Sequence, residues 1–324
     1  VWLFIHRYHF TKFLSMFYYI SMVTYFSASD FYKNLFGQKV YKISIDAGCT
    51  CPNRDGSKGT GGCIFCSSRG SGEFSQNPLD SIELQLAKAK GKVSAKCKNG
   101  KYIAYFQNFT STYGDEDILL KKYALAIEDE DVVGLDIATR PDCLRSEFLL
   151  RLKEICAHKF LMIELGLQTS NEKTGELINR KYSNEDFSNA VKTIRRIIPD
   201  CHVVCHLIFG LPGENEADMI CSVRFACCNK VDGIKFTNLN VLKGTELENL
   251  YRNGEFSCLS MEEYFELLSK ALRIIPKEVV IHRLTGDGPK ELLVEPMWVW
   301  NKKYVMNQMN SYFKCKGVIQ GGSL

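Results

Sequence analysis

Short apolar runs of β character recur along this chain, and longer segments with apolar positions three and four apart separate them. The runs are 42–46, 102–106, 132–137, 161–165, 202–208 and 233–236. Each is rich in Val, Ile, Leu or Tyr and too short for a helix. After the first, their starts fall about thirty to forty residues apart. The spacers read as helices. Residues 79–90 follow Asn77-Pro78 and carry Ile82, Leu86 and Ala89; 115–128 open with acids and carry Ile118, Leu119 and Ala126. Residues 146–158 carry Phe148, Leu149, Leu152 and Ile155, and 216–228 follow a Leu-Pro-Gly turn. Residues 184–198 open on Asn184-Glu185-Asp186, read as an N-cap followed by first-turn acids. One strand then one helix, about six times over, predicts βα units on a parallel sheet with right-handed crossovers. Six units suit a partial (β/α)6 TIM-like barrel better than a closed eightfold one. Its reactive site is expected where the loops leave the C-terminal strand ends.

Beyond Leu250 the rhythm changes to a helix over 261–274, an apolar run at 279–284, a Gly-Asp-Gly-Pro turn and an aromatic tail with Trp298, Trp300, Tyr304, Tyr312 and Phe313. The chain therefore divides into an N-terminal segment 1–30, a core 31–250 and a small C-terminal extension 251–324. The first segment is aromatic and has no charge between Lys12 and Asp30, a gap just short of a membrane helix. A membrane or signal segment competes here with a start placed too far upstream, with Met16 or Met22 as the true one; no membrane attachment is expected.

Composition is that of a globular protein, with 45% hydrophobic and 24% charged residues over 324 positions. A net charge of +4 permits a polyanionic partner without requiring one. Fourteen cysteines are scattered through apolar runs in a chain too long for a disulfide scaffold. They fit a reducing cytoplasm, where most serve as small hydrophobes.

The exception directly follows the first strand: Gly48-Cys49-Thr50-Cys51, then Cys63-Ile64-Phe65-Cys66 after a stretch with glycines at 56, 59, 61 and 62. Thiolates are the usual ligands of iron–sulfur clusters. Three cysteines, Cys51, Cys63 and Cys66, on a four-iron cluster leave one iron open. The competing reading is a zinc site on Cys49, Cys51, Cys63 and Cys66, although one residue between Cys49 and Cys51 is shorter than usual zinc spacing.

The segment Lys42-Ile43-Ser44-Ile45-Asp46-Ala47-Gly48 through Thr50-Cys51-Pro52-Asn53-Arg54-Asp55-Gly56 to Cys66 resembles the YhcC-like radical S-adenosylmethionine (SAM) proteins, relatives of the radical SAM domain of the elongator catalytic subunit. The resemblance extends from about Phe31 to the end and includes Thr139-Arg140-Pro141-Asp142, Glu164 to Thr169, His206 to Glu214 and Val231 to Lys235. It implies a partial barrel, a [4Fe–4S] cluster on Cys51, Cys63 and Cys66, and SAM on the open iron. Reductive cleavage of SAM would give a 5′-deoxyadenosyl radical that takes a substrate hydrogen, with electrons from a flavodoxin- or ferredoxin-type protein.

Further roles carry over by position. Phe65 resembles the aromatic beside the adenine. Asn108, Thr110 and Ser111 occupy the place of a Gly-Gly turn that binds the SAM amino group. Gln168 and Arg180 match SAM-holding positions in the oxygen-independent coproporphyrinogen oxidase branch, and His206 stands where that branch has Asp. Glu164 needs a partner, SAM or Arg140. Arg140 and Asp142 are substrate candidates or a mutual pair; Lys235 faces substrate or pairs with Glu214.

Substrate is the least specified. Lys88, Lys90, Lys92, Lys96, Lys98 and Lys101 form either a solvated run or a phosphate-binding one. The elongator relatives imply tRNA wobble-uridine modification, though with the chain ending at Leu324 their acetyl-CoA chemistry is not expected. A radical enzyme acting on a small metabolite or cofactor, and a non-enzymatic zinc or RNA-binding protein, are the alternatives.

Overall fold

Strands buried on both faces decide the architecture. In the first strand, β1 (Val40–Ile45), Ile43 and Ile45 are buried against helices while Lys42 and Ser44 stay partly exposed on the other face. β2 (Lys101–Phe106), β3 (Val132–Thr139), β4 (Phe160–Gln168), β5 (His202–Phe209) and β6 (Gly233–Asn238) are buried along most of their length, as strands covered on both faces are. A computed structural model describes residues 24–70, 72–96 and 100–322. In it these strands form one parallel sheet in chain order. Contacts between strands that are not neighbours, such as Lys42 with Glu164 at 2.6 Å and Lys235 with Tyr105 at 2.6 Å, require the sheet to curl into a part-barrel with these side chains inside.

The helices cover the outside: α2 (Ile82–Val93), α3 (Glu116–Glu128), α4 (Ser146–Ile155), α5 (Glu172–Leu177), α6 (Asn184–Ile197) and α7 (Glu216–Cys228). The N-cap of α6 is Ser183, one residue before the expected Asn184. Its hydroxyl accepts from the Asp186 amide while the Asp186 carboxylate accepts from the Ser183 amide, a reciprocal pairing that Asn184 could not make with that same partner. The short α5 has no strand-helix signal of its own and was not expected.

Two features extend the six-unit barrel. A seventh parallel strand, β8 (Val280–Arg283), comes from the segment read as an extension and pairs with β6. An N-terminal helix, α1 (Ala28–Phe36), closes the opposite end from the cysteine loop: Tyr32 packs with Val40, Ile103, Met162 and Val204, and Phe31 stacks on His202 with ring centroids 4.5 Å apart. The remaining C-terminal elements are β7 (Val241–Leu242) antiparallel to β9 (Leu293–Glu295), α8 (Glu246–Arg252), α9 (Met261–Ile274) and α10 (Lys302–Cys315). The aromatic tail is mostly α10, with Val305, Met309 and Phe313 buried four residues apart.

Residues 1–23, including Met16 and Met22, lie outside the described residues, as does Lys98. Among the described residues no helix is long and apolar enough to cross a membrane, and all thirteen cysteines are free, with Cys156, Cys201 and Cys205 buried in the core as small hydrophobes.

Candidate radical site

The loop after β1 folds back on itself through its polar side chains. Arg54 donates to the carbonyls of Cys66 at 3.1 Å and Ser67 at 2.5 Å. Asn53 donates to Asn179 O at 2.5 Å and reaches the Cys63 sulfur at 3.9 Å; Asn179 donates in return to Gly62 O at 2.8 Å. A Cβ on Gly62, whose φ is +84°, would stand 2.8 Å from Arg54 Nε, so the close wrap requires glycine there.

This brings Cys63 and Cys66 into hydrogen-bonding contact, with Cys51 near enough for its charge to act on Cys66. Cys66 hydrogen-bonds the Cys63 sulfur, and that bond, with the Arg140 and Arg54 guanidinium groups, pulls the Cys63 thiol below its ordinary range against the effect of burial. The same bond, burial and the negative charges of Cys63 and Cys51 push Cys66 well up, with Arg54 opposing. Cys49 belongs elsewhere. It packs at the edge of the core, where burial and Asp46 push it up to about 12 with Lys122 opposing. Three soft thiol donors beside two guanidinium groups, in a glycine-wrapped loop, suit an anionic iron–sulfur cluster; the fourth cysteine of the zinc alternative does not join them.

Above the strand ends, two orphaned polar atoms face no protein partner. The Thr110 hydroxyl is fully buried, and the Gln168 side-chain carbonyl is buried on a residue with φ of +66° at the end of β4. Both are capacity for a ligand rich in amino and hydroxyl groups, as SAM is. Phe65 lies partly exposed in an apolar group with Ile178, Ile208 and Leu211, a wall against which a flat ring can pack.

Four expected SAM contacts are instead spent inside the protein. All five N–H groups of the fully buried Arg180 are used, on the carbonyls of Leu167, Thr169 and Tyr182 and on Glu172 and Asn184, at 2.6–3.3 Å. Asn108 donates to Asp46 and accepts from Ser75 at 2.5 Å. The Ser111 hydroxyl donates back to Phe106 O at 3.1 Å. Glu164 bonds Lys42 at 2.6 Å through one oxygen and Tyr105 at 2.7 Å and Lys235 at 2.5 Å through the other. These four build the scaffold under the site.

The other pairings also resolve. Arg140 clamps Asp142 with two bonds of 2.9 and 2.8 Å, and Lys58 reaches the same carboxylate at 2.5 Å, so Arg140 and Asp142 pair with each other. Lys235 pairs with Glu164, not Glu214, whose carboxyl accepts from Thr169 and is raised by burial to about 7. The lysine run is answered by acids: Lys88 pairs with Asp80 at 2.7 Å, Lys90 with Asp129 at 2.6 Å and Lys101 with Asp131 at 3.1 Å.

Sequence reasoning missed the charged centre of the barrel. Lys42, Asp136, Glu164 and Lys235 meet there with Tyr105. Burial and the charge of Glu164 raise Asp136 to about 7, although Lys42 touches it and pulls the other way. Burial works against the charge on Lys42, but Asp136 and Glu164 outweigh it and raise Lys42 well above its ordinary range. Burial, Arg283 and Lys42 bring Lys235 down to about 8 in spite of Glu164. Burial would raise Glu164 too; Lys235 and Lys42 prevail and hold it well below the carboxylate range. The signal was a charge set among the apolar positions of four of the six runs: Lys42, Asp136, Glu164 and Lys235.

A parallel part-barrel with a three-thiol loop at the C-terminal end of its first strand defines an enzyme of the radical SAM class. The radical SAM superfamily pattern matches residues 53–226, and the radical SAM C-terminal domain matches 231–314. The chain belongs to the radical SAM superfamily, in the branch of YtqA and YhcC. It is 41% identical to YtqA of Bacillus subtilis over 286 residues, 88% of each chain, and 33% identical to YhcC of Escherichia coli over 290 residues, 89% of this chain and 92% of that one. A tRNA uridine(34) acetyltransferase of Methanocaldococcus jannaschii is 30% identical over 166 residues, half of this chain and 30% of that protein. Among solved structures, archaeal Elp3 of Methanocaldococcus infernus superposes with a TM-score of 0.66 at 20% identity, covering 87% of this chain and 64% of that one. Enzymes of this superfamily use a [4Fe–4S] cluster and SAM and generally need a reductant.

Proposed function

We propose that Cys51, Cys63 and Cys66 hold the cluster, that Thr110, Gln168 and Phe65 contact SAM, and that the enzyme modifies the wobble uridine of tRNA. When bound, the cluster and SAM supply reductive cleavage of SAM and hydrogen abstraction. The chain's own residues do the rest. Arg54 and Asn53 fix the loop that presents the three thiols. Arg140 and Arg54 offset the charge of the thiolates.

The likeness to a tRNA uridine(34) acetyltransferase across half of the chain carries the choice of tRNA. The C-terminal surface supports it: Trp300 and Tyr304 are exposed, and the Lys290 ammonium lies 5.7 Å from the Trp300 ring, the aromatic and cationic pairing that stacks bases. The basic run 88–101, largely paired, adds nothing to it.

Nucleoside analysis of tRNA from a strain lacking this gene tests the reading. A wobble uridine derivative is expected to disappear and its precursor to accumulate, and an unchanged profile removes tRNA as substrate. The ligand assignment has its own test in iron content after anaerobic reconstitution. Cys51→Ala, Cys63→Ala and Cys66→Ala should each lose the iron and the brown chromophore, and Cys49→Ala should keep both. Loss in Cys49→Ala alone would reverse the assignment.

A further inference from the structure

The burial pattern of the sheet outlines an open concavity. Toward the C-terminal end of its strands, inward-facing positions become partly exposed while their outward neighbours stay buried. Ser44, Ala138, Gly166, His206, Thr237 and Arg283 are such positions, one on each of six strands. Solvent therefore reaches the inside of the barrel at this level, while Asp136, Glu164 and Lys235 below it are buried and Lys42 is partly exposed.

Charge within this cup does not balance. The two carboxylates are both taken, Asp136 by Lys42 and Glu164 by Lys42 and Lys235. Arg283 is a third cation on the same face. Its Nη2 donates to the Thr237 hydroxyl and lies 3.5 Å from His206 Nε2, and its Nε reaches Phe236 O at 3.4 Å. Among the described residues no carboxylate stands within ion-pair distance of it. The His206 ring, 2.7 Å from the Thr237 hydroxyl, completes a polar edge. The local field is positive: burial first, then Lys235 and Arg283, hold His206 well below its ordinary range, so the ring is neutral. A guanidinium at this solvent-reached level of the barrel, beside the cation Lys235 and hydrogen-bonded only to neutral groups, has no protein charge to offset it, and an anion is the partner that does so.

We propose that Arg283, with Thr237 and His206 beside it, binds a small anionic group of the substrate, a carboxylate or a phosphate, inside the mouth of the barrel. The proposal rests on the radical SAM site and narrows its substrate to one that carries such a group near the reacting carbon. It also gives the three residues separate parts. Arg283 supplies charge and a planar fork, Thr237 fixes that fork, and neutral His206 offers one further hydrogen bond.

The test is titration calorimetry of the anaerobically reconstituted holoenzyme, saturated with SAM, against sodium acetate and inorganic phosphate. One of the two is expected to bind at a single site, and the tighter one identifies the group. Arg283→Gln should weaken it at least tenfold, and Arg283→Lys should weaken it less. Should Arg283→Gln fail to fold, Thr237→Val, which releases the fork, should weaken binding severalfold. Absence of binding by either anion, unchanged binding in Arg283→Gln, or binding seen without SAM and lost with it overturns the proposal; in the last case the site holds the carboxylate of SAM itself. No tRNA enters the experiment, so an unchanged tRNA profile in the deletion strain would remove the tRNA reading and leave this result to stand by itself.

Discussion

Asp136 is a fully buried carboxyl group with one cation against it, and the balance leaves it raised to about 7 from 3.8. The folded chain thus holds a proton there that the unfolded chain gives up near pH 4. Between those values the native state binds more protons, so stability falls as pH rises, by up to about 1.4 kcal/mol per pH unit, and levels off above about 7. Lys235 has the opposite sign. Lowered to about 8 from 10.5, it leaves the unfolded state with more protons across that interval, and stability recovers as pH rises through it. Asp136→Asn removes the first slope alone. Urea midpoints of both proteins in the same cofactor state, from pH 4.5 to 7, should show the wild type losing ground to the variant. Parallel curves would mean that Asp136 is ionised throughout. The three thiols were legible in the sequence because their spacing is local. The charged layer was not, because Lys42 and Lys235 lie nearly two hundred positions apart and only the curl of the sheet makes them neighbours of Glu164.

Among the elements, α1 shows what local patterns conceal. Its Ser27 cap accepts from the Asp30 amide and its Gly37 closes it in a left-handed turn, both ordinary signals. They were masked by the aromatic run before them, which reads as the product of a start placed too far upstream, with a membrane or signal segment as the competing reading. The helix is a plug. Phe31 lies against Phe26, Phe160 and His202, with centroids 6.3, 5.9 and 4.5 Å away, and closes the end of the barrel away from the cysteines. Phe31→Ala should cost about 3 kcal/mol in urea denaturation. Tyr32 sits in the same layer with a buried hydroxyl that has no partner. Tyr32→Phe removes that hydroxyl and keeps the ring, so it should leave stability unchanged or raise it by about 1 kcal/mol. A loss above about 1 kcal/mol would show that the hydroxyl is bonded. The βα units themselves were readable for a simpler reason: buried parallel strands are nearly continuous apolar runs, and each helix begins at a capping side chain such as Asp115, Asn215 or Ser260.

At the scale of the whole molecule, the boundary between the two family patterns falls between residues 226 and 231, yet the sheet runs through it. Strand β6 pairs with β5 on one side and with β8 on the other, and one continuous core joins Ile43 to Val318. The two ends of the described residues are tied across it. Gln320 accepts from the Phe26 amide at 2.8 Å, donates to Pro276 O and Val279 O at 2.7 Å each, and its own amide donates to Thr24 O at 2.9 Å. A division at the pattern boundary would leave β5 with an unpaired edge and separate α9 residues such as Tyr264, Phe265 and Leu268 from the core they share with strands β1 to β5. The described chain should therefore unfold as one unit. Two probes separate the alternatives. Trp298 and Trp300 lie in the C-terminal region, so tryptophan fluorescence reports mainly there, while far-ultraviolet circular dichroism reports the helices around the whole barrel. In urea the two should share one midpoint, and Gln320→Ala, which leaves the buried Phe26 amide and two carbonyls without their partner, should lower both together by about 2 kcal/mol. If the fluorescence transition separated from the dichroism, the last seventy residues would be a docked module, and Arg283 would reach the barrel only when that module is in place.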